Sequence, residues 1–178
     1  MSTSDDDGRT TPPHTTLASD TEAVEGSLTS SIEISCPWPG GKYIIRETES
    51  KLVIALKNGG LGLYALPTKE TVDYDLGFYW NCVENDKGWL GLRNTVSGGF
   101  IGLASVQSSK AKISNATSLY HTMRHSFCAR QHPDSGYVLL FIDTDDDDAL
   151  LPMTTSNERL TFRYGKVTRW EFIKVDSL

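Results

Sequence analysis

From about residue 42 onward, apolar positions come in short bursts rather than in a helical stripe. Runs of four to six mostly apolar residues, such as Leu52–Leu56, Phe78–Val83 and Tyr137–Phe141, alternate with clusters of Gly, Asn, Ser and Asp. Bursts of that length bounded by turn-forming residues predict short strands joined by tight turns, because a strand buries every second side chain while glycine and asparagine accept the backbone angles of the turn. Two marks recur in one phase. The first is a strand with an aromatic or imidazole opener: Trp80, His125 and Trp170 stand 45 residues apart, and Cys82, Phe127 and Phe172 keep the same spacing two positions later. The second is a glycine followed by an aromatic that opens an earlier strand, at Gly41-Lys42-Tyr43, Gly88-Trp89 and Gly136-Tyr137.

Two further strands are predicted inside each unit. The first of each pair is Leu52–Leu56, Phe100–Leu103 and Leu150–Met153, and the second is Leu61–Tyr64, Lys112–Ala116 and Arg159–Tyr164. Turn signals separate them at Asn58-Gly59-Gly60, Ser97-Gly98-Gly99 and the Asp145–Asp148 run. Four strands taken three times make twelve. A unit of about 45 residues cannot bury its own apolar face, but three can share a core around a pseudo-threefold axis. The expectation is therefore an all-β fold, a β-trefoil of three four-strand repeats over residues 37–178.

The residues also resemble a known family. Leu92-Arg93-Asn94 followed by Gly98-Gly99-Phe100-Ile101-Gly102, then Lys112-Ile113-Ser114-Asn115-Ala116, then Glu158–Phe162 and Trp170-Glu171-Phe172, are similar to the strand patterns of fascin-like, actin-cross-linking-type β-trefoils. That resemblance implies the fold. It says less about function, because trefoils host many activities. Fascins that bundle actin have several such domains in tandem and this chain has one; His125 departs from the aromatic pattern; and no Gln-x-Trp sugar motif of the ricin type is present.

Residues 1–36 read as a tail and lead-in turn. The tail is rich in Ser, Thr, Asp and Pro and lacks aromatic residues up to residue 31, a composition that cannot bury enough apolar surface to offset its ordering entropy, so disorder is expected. It holds six acids and one arginine up to residue 31, so −5 of the chain's net −6 lies there and −1 on the rest. No broad basic face is implied, which argues against a nucleic-acid partner. No apolar run approaches the roughly 20 residues of a membrane-spanning helix, and the N-terminal residues carry no signal-peptide pattern. Three cysteines without CxxC spacing predict free thiols, and with them a cytoplasmic setting.

The candidate chemistry is sparse. Asp143, Asp145 and Asp147 could offer hard oxygen ligands to a divalent cation, but the run lacks the spacing of a calcium loop and reads as a solvated turn. His121, His125, Cys128 and His132 have zinc-ligand chemistry, yet strand alternation would turn Cys128 away from His121 and His125. No cofactor is implied. Trp80 and Trp170 are expected in the core. Trp38 and Tyr79 are aromatic surfaces on which a sugar or apolar partner could stack, and Arg93, Arg130 and His132 complete the candidate binding set. The reading is a non-catalytic module that recognises a protein surface or a glycan through trefoil loops. The alternative is a small-molecule enzyme of cyclase or isomerase type with an apolar pocket in the barrel, where His125, Trp80, Asp143 or Asp145 would meet the substrate.

Overall fold

The computed structural model describes residues 34–66, 77–104, 112–144, 149–157 and 159–175. The tail expected to be disordered up to residue 31 and the Asp145–Asp148 run lie outside these residues.

Thirteen strands and a single 3-10 turn make up the secondary structure of the described residues: β1 (Ile34–Ser35), β2 (Lys42–Glu47), β3 (Val53–Lys57), β4 (Gly60–Tyr64), β5 (Trp80–Glu84), β6 (Leu90–Asn94), β7 (Phe100–Leu103), β8 (Lys112–Ser118), the turn Met123–His125, β9 (Phe127–Gln131), β10 (Tyr137–Asp143), β11 (Ala149–Ser156), β12 (Arg159–Phe162) and β13 (Trp170–Lys174). All pairings are antiparallel. Following them gives a closed ring in the order β13, β2, β5, β6, β9, β10 and back to β13. The hairpins β3–β4, β7–β8 and β11–β12 hang from it, and β8 pairs with β12. Closure leaves the ring strands without unpaired edges. The short strand β1 joins the other side of β13, so Ile34 and Ser35 belong to the folded body, ahead of the expected start at residue 37.

The ring interior is filled by side chains from its own strands. Trp80, Cys82, Phe127, Trp170 and Phe172 are each fully buried, as the 45-residue spacing predicts. Phe141 stacks on Phe127 at 5.4 Å and meets Phe162 edge-on at 4.8 Å, while Tyr43 and Tyr137 both present edges to Phe172. Aromatic rings in such geometries add to the free energy of burial. The ring interior thus holds the protein's own aromatic rings.

One expected strand is different. Met123 to His125 form a 3-10 turn, and β9 begins only at Phe127. The reason lies in the side chain. At Trp80 and Trp170 a buried indole N–H reaches across to a backbone carbonyl, of Ile54 at 2.9 Å and of Met153 at 3.3 Å. The shorter imidazole of His125 instead turns its Nδ1 to Thr122, 2.8 Å from the hydroxyl, which the tight turn brings close. Gly102 makes room for that ring, since a Cβ there would fall 2.2 Å from His125 Cδ2.

The seam between β2 and β13 carries a largely buried ion pair: Arg46 bonds Glu171 at 2.7 Å, with Lys51 at 3.5 Å on the other carboxylate oxygen. No helix among the described residues is long and apolar enough to cross a membrane.

Candidate functional site

A cleft of about 580 Å³ lies between the lead-in segment Cys36–Pro39, the turn that joins β5 to β6, and the start of β9. Its wall holds two tryptophans, Trp38 and Trp89. Trp38 is 72% exposed, an unusual state for so large an apolar ring. Half-buried Leu90 and Ala129 add apolar lining beside the fully buried Phe127, and Glu84 and Lys87 bring one carboxylate and one ammonium group.

Trp38 is held there by the chain beneath it. The Tyr43 hydroxyl accepts the Trp38 backbone N–H at 3.1 Å and donates to the Cys36 carbonyl at 3.2 Å. Gly40 N–H donates to the Cys82 carbonyl at 2.8 Å and adopts φ +86°, a left-handed conformation that glycine takes without steric cost. Gly41 packs on the Tyr43 ring so closely that a Cβ would lie 2.3 Å from the hydroxyl oxygen. The Pro-Trp-Pro-Gly-Gly sequence is therefore a rigid arm that presents an indole.

Trp89 is set by a side-chain-capped turn. Asn85 Oδ1 accepts the backbone N–H groups of Lys87 and Trp89, each at 3.0 Å, and Asn85 Nδ2 reaches Ser126 Oγ at 3.4 Å. An asparagine bonding to the backbone two residues on is a common device for fixing a turn. Gly88 closes it with φ +79°, and the Glu84 carboxylate lies over it, 3.5 Å from where a Cβ would stand.

The two cleft tryptophans also differ in hydrogen bonding from the two in the core. The indole N–H groups of Trp80 and Trp170 are satisfied inside the protein. Those of Trp38 and Trp89 have no partner among the described residues, and neither Glu84 nor Lys87 makes an ion pair there. The cleft is therefore lined by two indoles, one ammonium group, one carboxylate and apolar side chains.

No family model matches the sequence, and no curated protein is similar to it. Solved structures are. The chain is similar to a GlcNAcα1-4Gal releasing endo-β-galactosidase from Clostridium perfringens (TM-score 0.56, 12% identity), to the β-trefoil BEL (0.52, 12%) and to SeviL bound to asialo-GM1 saccharide (0.53, 14%). The matches cover 76%, 78% and 78% of this chain, and 33%, 97% and 98% of those chains. This chain thus corresponds to about a third of the galactosidase and to nearly all of the other two. The fold is β-trefoil-like.

Within this trefoil the residues proposed from sequence do not converge. Trp38 alone lines the cleft. Tyr79 is half-buried and packs on Phe78 at 4.5 Å. Arg93 is exposed on β6, where it donates to the Gly98 carbonyl at 3.0 Å and lies over the Phe100 ring. Arg130 is exposed on β9 opposite Val138. His132 serves the β9–β10 turn: its Nδ1 accepts the Asp134 backbone N–H at 3.2 Å, as Asn85 does for its own turn.

The proposed zinc set is likewise dispersed. His121 stacks on Phe100 at 5.1 Å with its Nε2 3.4 Å from Ser126 Oγ, and His125 lies tilted against the same ring at 6.3 Å. Cys128 lines the cleft instead, and His132 caps its turn. Among the described residues no three His, Cys, Asp or Glu side chains stand together as a metal site. Asp143 is buried at the end of β10 opposite Ala149, while Asp145 and Asp147 lie outside the described residues.

Burial decides the titration behaviour of these groups. Desolvation pushes the Cys82 thiol up to about 12 and raises Cys128 despite the nearby Arg130. Burial raises Tyr137, helped by its hydrogen bond with Cys36. Burial lowers both His121 and His125, the latter also through His121 and Arg124.

Sequence reasoning missed Trp89, Glu84 and Lys87. The glycine-aromatic mark predicts that Trp89 opens a strand, as it does for Tyr43 and Tyr137. The structure starts β6 one residue later, at Leu90, and leaves Trp89 in the turn. A legible signal was present: Asn85-Asp86-Lys87-Gly88 is a strong turn sequence that ends directly at Trp89.

Proposed function

We propose that this protein is a glycan-binding module without catalysis, and that the Trp38–Trp89 cleft is its saccharide site. The observation that carries the reading is a pair of tryptophans held at the surface by built turns, with indole N–H groups unpartnered among the described residues. A pyranose presents an apolar C–H face and a rim of hydroxyl groups. The first stacks on an indole, and the second bonds to Glu84, Lys87 and the indole donors. The likeness to SeviL, bound to asialo-GM1 saccharide, supports the class of ligand at the level of the fold.

As part of the same reading we take the chain as three four-strand units of fascin-like type, acting in the cytoplasm. The paired indole bonds of Trp80 and Trp170, 45 residues either side of His125, support the repeat. The test is a glycan array followed by titration of tryptophan fluorescence with the strongest binders. Saturable quenching that is lost in Trp38→Ala is the expected result. Binding that survives both Trp38→Ala and Trp89→Ala would remove the cleft from the argument.

A further inference from the structure

We infer that a second surface, formed by Val96, Leu119 and Tyr120 beside Arg93, docks a short acidic segment of a partner protein through apolar anchors; this goes beyond the saccharide reading and does not rest on it. All three apolar side chains are largely open to solvent, at 68%, 62% and 78% exposed. They come from two neighbouring turns. Val96 lies in the turn that joins β6 to β7, and Leu119 and Tyr120 lie directly after β8. A Cβ at Gly98 would stand 3.4 Å from Arg93 Nη2 and 3.7 Å from Leu119 Cδ2, so the guanidinium and the leucine meet at the first turn. Single exposed apolar residues are ordinary, but a cluster of them beside a charged group marks an interaction site.

Both turns are fixed by side-chain hydrogen bonds. The buried Asn94 accepts the backbone N–H groups of Val96 and Ser97 on its Oδ1, each at 3.0 Å. Arg93 Nε donates to the Gly98 carbonyl at 3.0 Å. On the second turn, Ser118 Oγ accepts the Tyr120 N–H at 3.3 Å and donates to the Tyr120 carbonyl at 3.0 Å. A surface fixed in this way has little backbone freedom left to lose when a partner arrives.

Charge selects the occupant. Residues 87–133 hold six lysines and arginines and no aspartate or glutamate, so this stretch carries +6 and the remaining residues −12, which together make the chain's −6. Both turns lie within it. An acidic peptide is drawn to that local charge, and its own apolar side chains cover Val96, Leu119 and Tyr120. Screening confines the attraction to about 8 Å at physiological salt, so a short peptide on this patch responds to the basic stretch rather than to the negative charge elsewhere. A bilayer or a nucleic acid meets far more of the surface, where the net −6 opposes it. A second copy meeting the patch about a twofold axis would bring the same basic stretch against itself.

The experiment is selection of a phage-displayed library of short random peptides on the full chain, followed by titration of the enriched peptides at low and high salt. The expected result is enrichment of peptides that join Asp or Glu to Leu, Phe or Trp. Their affinity should fall about tenfold or more in the double variant Leu119→Ser with Tyr120→Ser, and should weaken as salt rises. Both positions are exposed, so thermal melts of the variant should match the unaltered chain. Val96→Ser gives the same readout from the other turn if the double variant disturbs the fold. No enrichment, enrichment of peptides without acidic residues, or affinity unchanged in these variants overturns the proposal. Self-association of the chain that is lost in the same variants overturns it in favour of a second copy. Cosedimentation with vesicles of phosphatidylserine and phosphatidylcholine, lost in the same variants, overturns it in favour of a membrane.

Discussion

The two pairs of tryptophans in this molecule have the same chemistry and opposite surroundings. Trp80 and Trp170 are fully buried, with their N–H groups spent on strand carbonyls. Trp38 and Trp89 stand in a cleft, with Trp38 mostly exposed and both carried on turns rather than strands. An indole in a strand has its direction set by alternation, so it either fills the core or faces water. An indole on a rigid turn can be aimed independently of the sheet. The core pair stabilises the fold, while the cleft pair contributes little to it and remains available to a ligand.

That contrast can be broken experimentally. The largest expected effect is on stability: Trp170→Ala or Trp80→Ala should cost about 3–5 kcal/mol in urea unfolding, the usual loss for a truncated core aromatic. Trp38→Ala should shift stability by no more than about 0.5 kcal/mol, since exposed positions away from special features rarely matter more. Comparable losses at Trp38 and Trp170 would end the distinction.

The next effect tests the arm rather than the ring. Gly41→Ala forces a methyl group into the Tyr43 hydroxyl and should destabilise by about 1–3 kcal/mol while displacing Trp38. Tyr43→Phe removes one acceptor and one donor and should cost about 1 kcal/mol per lost bond, with ligand affinity falling alongside. Unchanged affinity in both variants would show that the arm does not position Trp38.

A smaller effect concerns pH. The folded state holds His121 and His125 below their ordinary value of 6.5, so the unfolded chain takes up protons first as pH falls. Stability from these groups is full above about pH 6.5 and declines as pH falls through the lowered folded values. Melting temperature should drop across that window, and the double variant His121→Gln with His125→Asn should flatten the curve. A flat curve in the unaltered protein would contradict the burial of these rings.

The smallest difference is in thiol labelling. At pH 8 an alkylating reagent should modify exposed Cys36 first and leave Cys82 untouched until the protein unfolds. Early loss of the Cys82 thiol would mean that the ring opens locally.

The ring strands were legible in the sequence because they obey two strong rules at once. Cys82, Phe127 and Phe172 repeat at a fixed interval and are apolar, and all three are fully buried. Strand β7 falls on its predicted residues, Phe100–Leu103, and most others differ by one to three residues at an end. Spacing predicts a strand at His125 because it ignores side-chain length, whereas the imidazole bonds its local partner Thr122. The cleft was largely illegible for a different reason. Trp38, Glu84 and Phe127 are far apart along the chain, and the pairing of Leu90 with Phe127 together with the Asn85–Ser126 bond brings the β5–β6 turn against β9. Arg93 and His132 have backbone duties in their turns, and Arg130 lies exposed on β9 beside Cys128, so none of the three faces the cleft.

Strand β13 has a consequence for the order of events in synthesis. It is the last ring strand to be made, yet it pairs with β2, whose residues precede it by more than a hundred positions, as the Arg46–Glu171 contact does. Until it arrives, the edges of β2 and β10 are open, and the ring cannot close around its aromatic rings. Contacts so distant in sequence slow folding, and unpaired edges invite other chains. A nascent chain halted before Trp170 should therefore stay dependent on chaperones, and adding the stretch Trp170–Lys174 should release it in one cooperative step.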